Sequence, residues 1–314
     1  MGRLRIRQPL ARRFAVAVLL LSLAALPSAS SAAPGATGRH GVPAFHHVFV
    51  VVMENLDYQS AMATPGLAHL AATWALATNS YGVSHPSLPN YLALTGGSTF
   101  SITSDCVDCY VNAPNLFSQL ASSRHSFDAF LEGVPGSCYL SPWGGVDYAS
   151  KHNPFRYFDN VRSSATLCSH LRPLTQLAPL LRGPSSAVPD FVWVTPNLCN
   201  DGHDCTPTTA ATWLTTFVQS VTSSAAWRDH GVLLVTWDES DGGSSGVVNG
   251  RVVGSGGGGH VMTLVIAPGL RRGLRVGVPY NHYSLLATVE DALGLPLLAN
   301  ARNATALSAF FRGT

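Results

Sequence analysis

A chain of 314 residues, 46% hydrophobic and 11% charged, is long enough to bury one large core and carries no signature of disorder. Its formal charge of +2 is set by the N-terminus, because five arginines (Arg3, Arg5, Arg7, Arg12 and Arg13) lie in the first 33 residues and the remainder holds 14 basic against 17 acidic residues, about −3. No lysine or arginine run interleaved with aromatics is left to follow a nucleic-acid backbone, which excludes nucleic acid as a partner.

In chain order, the arginines are followed by the apolar run Phe14 to Leu26 and then by the small residues SASSAA. This is the pattern of an export signal over residues 1–33, with cleavage expected after Ala32, and Arg12-Arg13-Phe14 weakly resembles a twin-arginine leader. About thirteen apolar residues fall short of the roughly 20 needed to cross a bilayer, so residues 34–314 are expected as one exported domain, secreted or in the cell envelope. His47 to Met53 (HVFVVVM) reads as a buried strand that stops at Glu54-Asn55. Pro65 to Ala77 has Leu67, Leu70, Ala71 and Trp74 at helical spacing.

Ser84 to Gly97 (SHPSLPNYLALTGG) comes next. Pro86 biases the residues before it toward extended backbone, and Pro89 suits the first turn of a helix, so Ser87 sits where a loop becomes a helix. The free N–H groups and positive dipole end of that helix would favour an anion such as a phosphoryl group. A serine at this position, taken alone, is an ordinary cap. Asn115 to Ser122 is a short helix and Ser126 to Leu131 a strand. Residues 133–160, rich in Gly, Pro and aromatics and containing KHNPFRYFDN, form an inserted loop over the site. Leu171 to Leu181 is weakly helical. Asp190 to Thr195 is a buried strand leading to PNLCNDGHDC, followed by a helix over Ala210 to Val221.

Val232 to Trp237 (VLLVTW) is a second apolar strand that stops at an acidic pair, Asp238-Glu239. Asp241 to Gly259 is a low-complexity hairpin excursion with a turn at Asn249-Gly250, leading to His260 and the strand Val261 to Ala267. A helix starts near Ser284 and stops at Gly294, with His282 just before it. Alternation of strands and helices indicates an α/β/α sandwich with a mostly parallel sheet. Continuous Val and Leu runs belong to strands covered on both faces, and open α/β sheets collect ligands at the carboxyl ends of such strands. Two acidic strand ends beside a helix-entrance serine describe a metal site with Ser87 as nucleophile.

Six cysteines, at 106, 109, 138, 168, 199 and 205, suit an oxidising compartment. Fifteen pairings are possible; local spacing favours Cys106 with Cys109, Cys138 with Cys168 and Cys199 with Cys205. CVDC also has the spacing of half a zinc or redox site, but the chain has no second CxxC.

The ordered set VVMEN, SHPSLPNYLALTGG, KHNPFRYF, PNLCNDGHDC, TWDESDGG and YNHYSLLATVED, spanning roughly residues 45–300, resembles the phosphoesterase family of bacterial acid phosphatases and phospholipases C, within the alkaline phosphatase superfamily. The resemblance implies an α/β/α fold, a divalent metal held by Glu54, Asn55, Asp238 and Glu239, and Ser87 as nucleophile. Carboxylate and amide oxygens suit Mg, Ca or Mn and also hold Zn. His152 and His203 fall in motifs that resemble the family's active-site histidine segments. His85 is a candidate only for lying two residues before Ser87, and His260 and His282 are candidates for orienting the acidic pair. The remaining histidines are read as structural.

The chemistry expected is hydrolysis of a small-molecule phosphate ester or a phospholipid through a phosphoserine. A phosphomonoesterase of acid-phosphatase type is the leading reading. A phospholipase C-type phosphodiesterase is the alternative, since Trp143, Tyr148, Phe155, Tyr157 and Phe158 offer aromatic surface to a diester substituent. Larger family members carry C-terminal modules that this chain lacks, and no amphipathic, lysine-rich helix suits a lipid interface, so soluble monoesters are expected to be preferred. A non-catalytic exported metal-binding protein would explain the acidic pairs but not the serine. A sulfatase would need Cys or Ser-x-Pro-x-Arg, and Ser87-Leu88-Pro89-Asn90 continues with Tyr91.

Overall fold

The computed structural model describes residues 1–2, 38, 40–241, 246–248, 251–253 and 257–312, and the chain divides between Ala32 and Ala33. The expected export signal, apart from residues 1–2, and the Asn249-Gly250 turn lie outside the described residues. The Ala33–Thr314 unit is built on a nine-stranded sheet. Its strands are β1 (His47–Met53), β2 (Ala75–Tyr81), β3 (Phe127–Leu131), β4 (Leu171–Pro173), β5 (Phe191–Thr195) and β6 (Gly231–Trp237). A separate antiparallel pair, β7 (Gly246–Val248) and β8 (Arg251–Val253), forms the hairpin excursion. The main sheet then resumes with β9 (His260–Ile266), β10 (Arg275–Val276) and β11 (Tyr280–Asn281). The order is β10-β2-β9-β6-β1-β5-β3-β4, with β11 also on β2.

β1, β3, β4, β5 and β6 pair in parallel, whereas β9 runs antiparallel to both β6 and β2. Two reversals cancel, so β2 points the same way as β6. Side chains alternate across a strand, and here both sets are apolar. Val48, Val50 and Val52 pack with Leu88, Leu92, Leu116, Phe117, Leu286 and Val289 on one face. Phe49, Val51 and Met53 pack with Leu67, Leu70, Leu214, Val218 and Val221 on the other. Two cores flanking one sheet give the three-layer α/β/α architecture.

The helical spacing after Pro65 overruns its element. The helix is Pro65–Thr73 and ends at Trp74, and β2 begins at Ala75. Ala75 and Leu76 are apolar enough for either state, and pairing with Val265 and Leu264 decides for strand. In the same way Leu171–Pro173 is an edge strand on β3 ahead of the Leu177–Arg182 helix. The glycines before β9 serve a close backbone approach. A Cβ at Gly258 would lie 2.6 Å from Ser84 O, and one at Gly82 would lie 2.7 Å from Gly258 O. Their backbones bond directly, with Gly82 N–H donating to Gly259 O at 2.9 Å and Ser240 N–H to Gly258 O at 2.8 Å. The loop before Ser87 is thereby fixed to the segment after Glu239.

All three disulfides favoured by spacing are formed: Cys106–Cys109, Cys138–Cys168 and Cys199–Cys205. Cys138–Cys168 joins residues 30 apart and encloses most of the 133–160 segment. Replacing both cysteines by serine should cost about 2–4 kcal/mol, from the restored freedom of the unfolded chain. Denaturant unfolding that leaves the midpoint unchanged would show that the crosslink carries no stability.

Candidate active site

The register of β1 on β6 sets the centre. Met53 pairs with Trp237, so the next residues, Glu54 and Asp238, leave the sheet side by side, and Asp238 N–H donates to Met53 O at 3.0 Å. Five strands that point the same way each deliver residues here. β1 gives Glu54, β2 leads to Ser87, β3 to Lys151 and His152, β5 to Asp201 and His203, and β6 to Asp238 and Glu239. This is the carboxyl edge at which open α/β sheets place their ligands.

Ser87 is the first residue of the Ser87–Gly96 helix, whose ten residues are all buried. Its Oγ donates to Glu54 Oε1 at 2.6 Å, lies 3.3 Å from Glu239 Oε1, and accepts from Lys151 Nζ at 3.2 Å. The preceding Pro86 provides no side-chain cap. Asp105 substitutes: its Oδ1 accepts the Leu88 N–H at 2.9 Å. The expectation that this helix end keeps its N–H groups free for an anion is corrected at Leu88. Asn90 shapes the loop, its Oδ1 accepting the N–H groups of Val83 and Ser84 at 2.9 and 3.0 Å and its Nδ2 donating to Ser84 O at 2.7 Å.

Glu54, Asp238 and Glu239 are buried, with ligand oxygens all within 4.8 Å of one another. Asp238 Oδ1 accepts the N–H groups of Asn55 (3.2 Å) and Glu239 (2.6 Å), while its buried Oδ2 has no hydrogen-bond partner. Asn55 thus reaches the cluster through its backbone, in a left-handed conformation at φ 43°. Burial, followed by the charge of Glu54, pushes the Asp238 carboxyl well above its usual range, and the same causes push Glu239 up to about 8. Glu54 goes the other way: burial opposes its ionisation, but the charge and contact of His152, with help from Lys151, hold it well below the usual range. An orphaned carboxylate oxygen amid three buried acids fits an oxygen-ligated divalent cation.

His152 sits between two carboxylates, Nε2 at 3.1 Å from Glu54 Oε2 and Nδ1 at 3.1 Å from Asp201 Oδ2. These are ion pairs by distance, with the N–H of Nε2 not aligned as a directed hydrogen bond. Its ring stacks on Tyr91 of the Ser87 helix, centroids 5.0 Å apart, and its carbonyl accepts from Thr195 Oγ1 at 3.0 Å. Burial works against the imidazolium, but Glu54 and Asp201 raise its pKa to about 9. His203 is held by the Cys199–Cys205 loop. Its N–H donates to Asp201 Oδ1 at 2.8 Å, its Nδ1 lies 2.6 Å from Asp204 Oδ1, and its Nε2 is 3.4 Å from Lys151 Nζ. His85 Nδ1 contacts Glu239 Oε2, and burial lowers the imidazole's pKa. His282 Nε2 contacts Asp238 O, whereas His260 contacts Thr78 O at 3.2 Å and stacks on Tyr58 and Tyr81.

Lys151, Asp105, Asp201 and Asn90 also belong to the site, and sequence reasoning passed over them. Lys151 directly precedes His152 in KHNPF, Asp201 lies inside NDGHD, and Asp105 adjoins the CVDC disulfide. Lys151 Nζ lies 3.3 Å from Asp105 Oδ2 and 3.5 Å from Glu54 Oε1. Burial works against its ammonium, but Glu54 and Asp105 raise its pKa above the ordinary lysine value. Of the aromatic loop, Phe155, Tyr157 and Phe158 are fully buried, and Trp143 is 71% exposed.

Residues 39–296 match a model of the Phosphoesterase family. A phosphatidylinositol-3-phosphatase of Mycobacterium tuberculosis is 32% identical over 271 residues, covering 84% of this chain and 82% of that protein. A probable acid phosphatase of Kluyveromyces lactis is 29% identical, covering 90% and 70%. An acid phosphatase of Aspergillus fumigatus is 30% identical, covering 81% and 56%. Among solved structures, an alkaline phosphatase superfamily protein from Vibrio parahaemolyticus superposes with TM-score 0.56 at 12% identity, over 85% of this chain and 72% of that one. Murine ectonucleotide pyrophosphatase/phosphodiesterase 5 does so at 0.52 and 10% identity, over 81% and 96%. At such identities these superpositions bear on the fold.

His152→Ala would leave Glu54 and Asp201 buried without their shared cation, a change that costs about 3–5 kcal/mol. The histidine's folded pKa is raised from 6.5 to about 9, so its stabilisation is complete below 6.5 and disappears as pH rises through about 9. Unfolding free energies measured in chelator should therefore differ most between wild type and variant near pH 6 and converge above pH about 9. A difference that widens with pH would contradict the assignment.

Proposed function

The chain belongs to the Phosphoesterase family and hydrolyses phosphate esters; on that premise we propose that it is a metal-dependent phosphomonoesterase with Ser87 as its nucleophile. The observation that carries this reading is the 2.6 Å hydrogen bond from Ser87 Oγ to Glu54 Oε1, made at the first residue of a buried helix and beside three converging carboxylates. Glu54, Asp238 and Glu239, with Asn55 adjoining, would hold the cation. When bound, a divalent cation neutralises the acids and polarises the phosphoryl oxygen, chemistry open to Mg, Ca, Mn or Zn.

The chain's own groups do the rest. Ser87 Oγ attacks phosphorus, and its proton is received at Glu54 Oε1, the carboxylate oxygen to which it is already hydrogen-bonded. The bond from phosphorus to the leaving oxygen breaks with its electron pair, and His203 gives that oxygen a proton from Nε2. Asp204 on Nδ1 fixes the ring for this transfer. Water then attacks the phosphoserine, passes its proton to His203 Nε2, and releases phosphate as Ser87 Oγ recovers the proton from Glu54. His152, sealed between Glu54 and Asp201, acts as a positioning residue. His85 holds Glu239 in place.

Burial of Phe155, Tyr157 and Phe158 in the core beside Phe117 and Trp193 removes most of the aromatic surface that would favour a phosphodiester, which supports the monoester reading. The names of the relatives, acid phosphatases and a phosphatidylinositol-3-phosphatase, point the same way. Export is supported by the three disulfides. No helix among the described residues is long and apolar enough to cross a membrane.

Ser87→Ala should lower kcat/KM for p-nitrophenyl phosphate by about a thousandfold or more with metal content unchanged; near wild-type turnover would sink the nucleophile. His203→Ala should lower kcat/KM, which reports the first displacement, about a hundredfold for an alkyl phosphate and far less for p-nitrophenyl phosphate, whose leaving group needs no proton. Equal losses on both would reassign the acid. A specificity constant for phosphatidylcholine tenfold above that for the monoester, about 1.4 kcal/mol of transition-state preference, would move the protein to the phospholipase class.

A further inference from the structure

We propose that Lys151, positioned by Asp105, is the residue that selects for the second negative charge of a phosphate monoester over the single charge of a diester. The inference rests on Ser87 being the nucleophile and concerns the group beside it. Lys151 Nζ lies 3.2 Å from Ser87 Oγ, so a phosphoryl group bonded to that oxygen brings its non-bridging oxygens within reach of the ammonium. Four carboxyl groups, those of Glu54, Asp201, Asp238 and Glu239, are buried nearby. Of the other side chains there that can carry positive charge, His152 is 2% exposed and occupied on both ring nitrogens by Glu54 and Asp201, His85 is in contact with Glu239, and His203, 3.4 Å from Lys151 Nζ, serves the leaving oxygen. Lys151, part-exposed, is the cation that faces the reacting oxygen. A point charge on a flexible stem with three donors suits an oxyanion that forms and leaves.

Asp105 decides where that charge stands. Its Oδ1 accepts the Leu88 N–H of the nucleophile helix at 2.9 Å, and its Oδ2 lies 3.3 Å from Lys151 Nζ. One carboxylate thus sets the spacing between the serine and the ammonium. Asp105 is itself anchored. It adjoins the Cys106–Cys109 disulfide, and the buried Arg156 donates from Nη1 to Val107 O at 3.0 Å and from Nε to Leu140 O at 3.1 Å. The CVDC loop, read from sequence as a disulfide without a site role, carries the residue that ties the helix to the cation. An anchored ammonium beside Ser87 strengthens its hold as charge on the phosphoryl oxygens increases, so the gain is greater for a dianion than for a monoanion.

The test compares Lys151→Met, Lys151→Arg and Asp105→Asn with wild type on p-nitrophenyl phosphate and bis-p-nitrophenyl phosphate. Metal content and near-ultraviolet circular dichroism are recorded for each protein. Where diester turnover is too slow to follow, competitive inhibition by inorganic phosphate and by dimethyl phosphate at pH about 8, where phosphate is chiefly the dianion, gives the same comparison. Lys151→Met should lower the monoester-to-diester ratio of kcat/KM, or the corresponding ratio of inhibition, by about a hundredfold at full metal content, and Lys151→Arg should recover part of it. Asp105→Asn should lower the same ratio several-fold, where a merely structural role would depress both substrates alike. Equal losses on both substrates, or an unchanged ratio, would overturn the proposal. Failure of the nucleophile reading is separate, since it appears as activity surviving Ser87→Ala whatever Lys151 does.

Discussion

Everything at the centre of this protein follows from a register. Parallel pairing of His47–Met53 with Gly231–Trp237 makes Met53 the partner of Trp237, and the next residue on each strand is an acid. Glu54 and Asp238 therefore emerge together, with Glu239 behind them, at the edge of a sheet buried on both faces. Buried like charges are costly unless something offsets them. Most of the rest of the site is the offset: His152 between Glu54 and Asp201, Lys151 against Glu54, and backbone N–H groups on Asp238 Oδ1. What those groups leave uncovered, notably Asp238 Oδ2, marks where a cation fits.

The same constraint explains why loops that look irregular are tied down. The segment that carries Lys151 and His152 is fastened at His152 O by Thr195, whose hydroxyl also accepts from Trp193 Nε1 at 2.8 Å. Arg156, 1% exposed, pins the neighbouring 107 and 140 loops, and the Cys199–Cys205 bridge closes the turn that holds Asp201 and His203. Catalytic groups held to within fractions of an ångström need such supports, because side chains on unsupported loops lose the geometry that chemistry requires.

The fold was legible where physics is local and repetitive. Val- and Leu-rich runs named the interior strands, Pro86 and Pro89 placed the helix start at Ser87, and the order of the cysteines along the chain favoured the three disulfides. Where β2 begins was not legible, because Ala75 and Leu76 suit helix and strand equally and only the partner β9 decides. At the site, the acids at the strand ends and the serine could be read because each sits at a change of secondary structure. Lys151, Asp105 and Asp201 could not, since their roles come from loops that meet only after folding; in sequence they are single charges in polar stretches. The glycines at 257–259 read as slack, yet Gly258 is required by backbone contact with Gly82 and Ser84.

The central claim is that a phosphoryl group is carried on Ser87 between two displacements. The most direct measurement is an acid quench of the enzyme during turnover of a phosphate monoester, followed by mass analysis of the peptide that contains Ser87. The account predicts that this peptide, and no other, gains the mass of one phosphoryl group, and that the gain vanishes when substrate is exhausted. A quenched enzyme that carries the group on a histidine, or on no residue while burst kinetics show an intermediate, would contradict it.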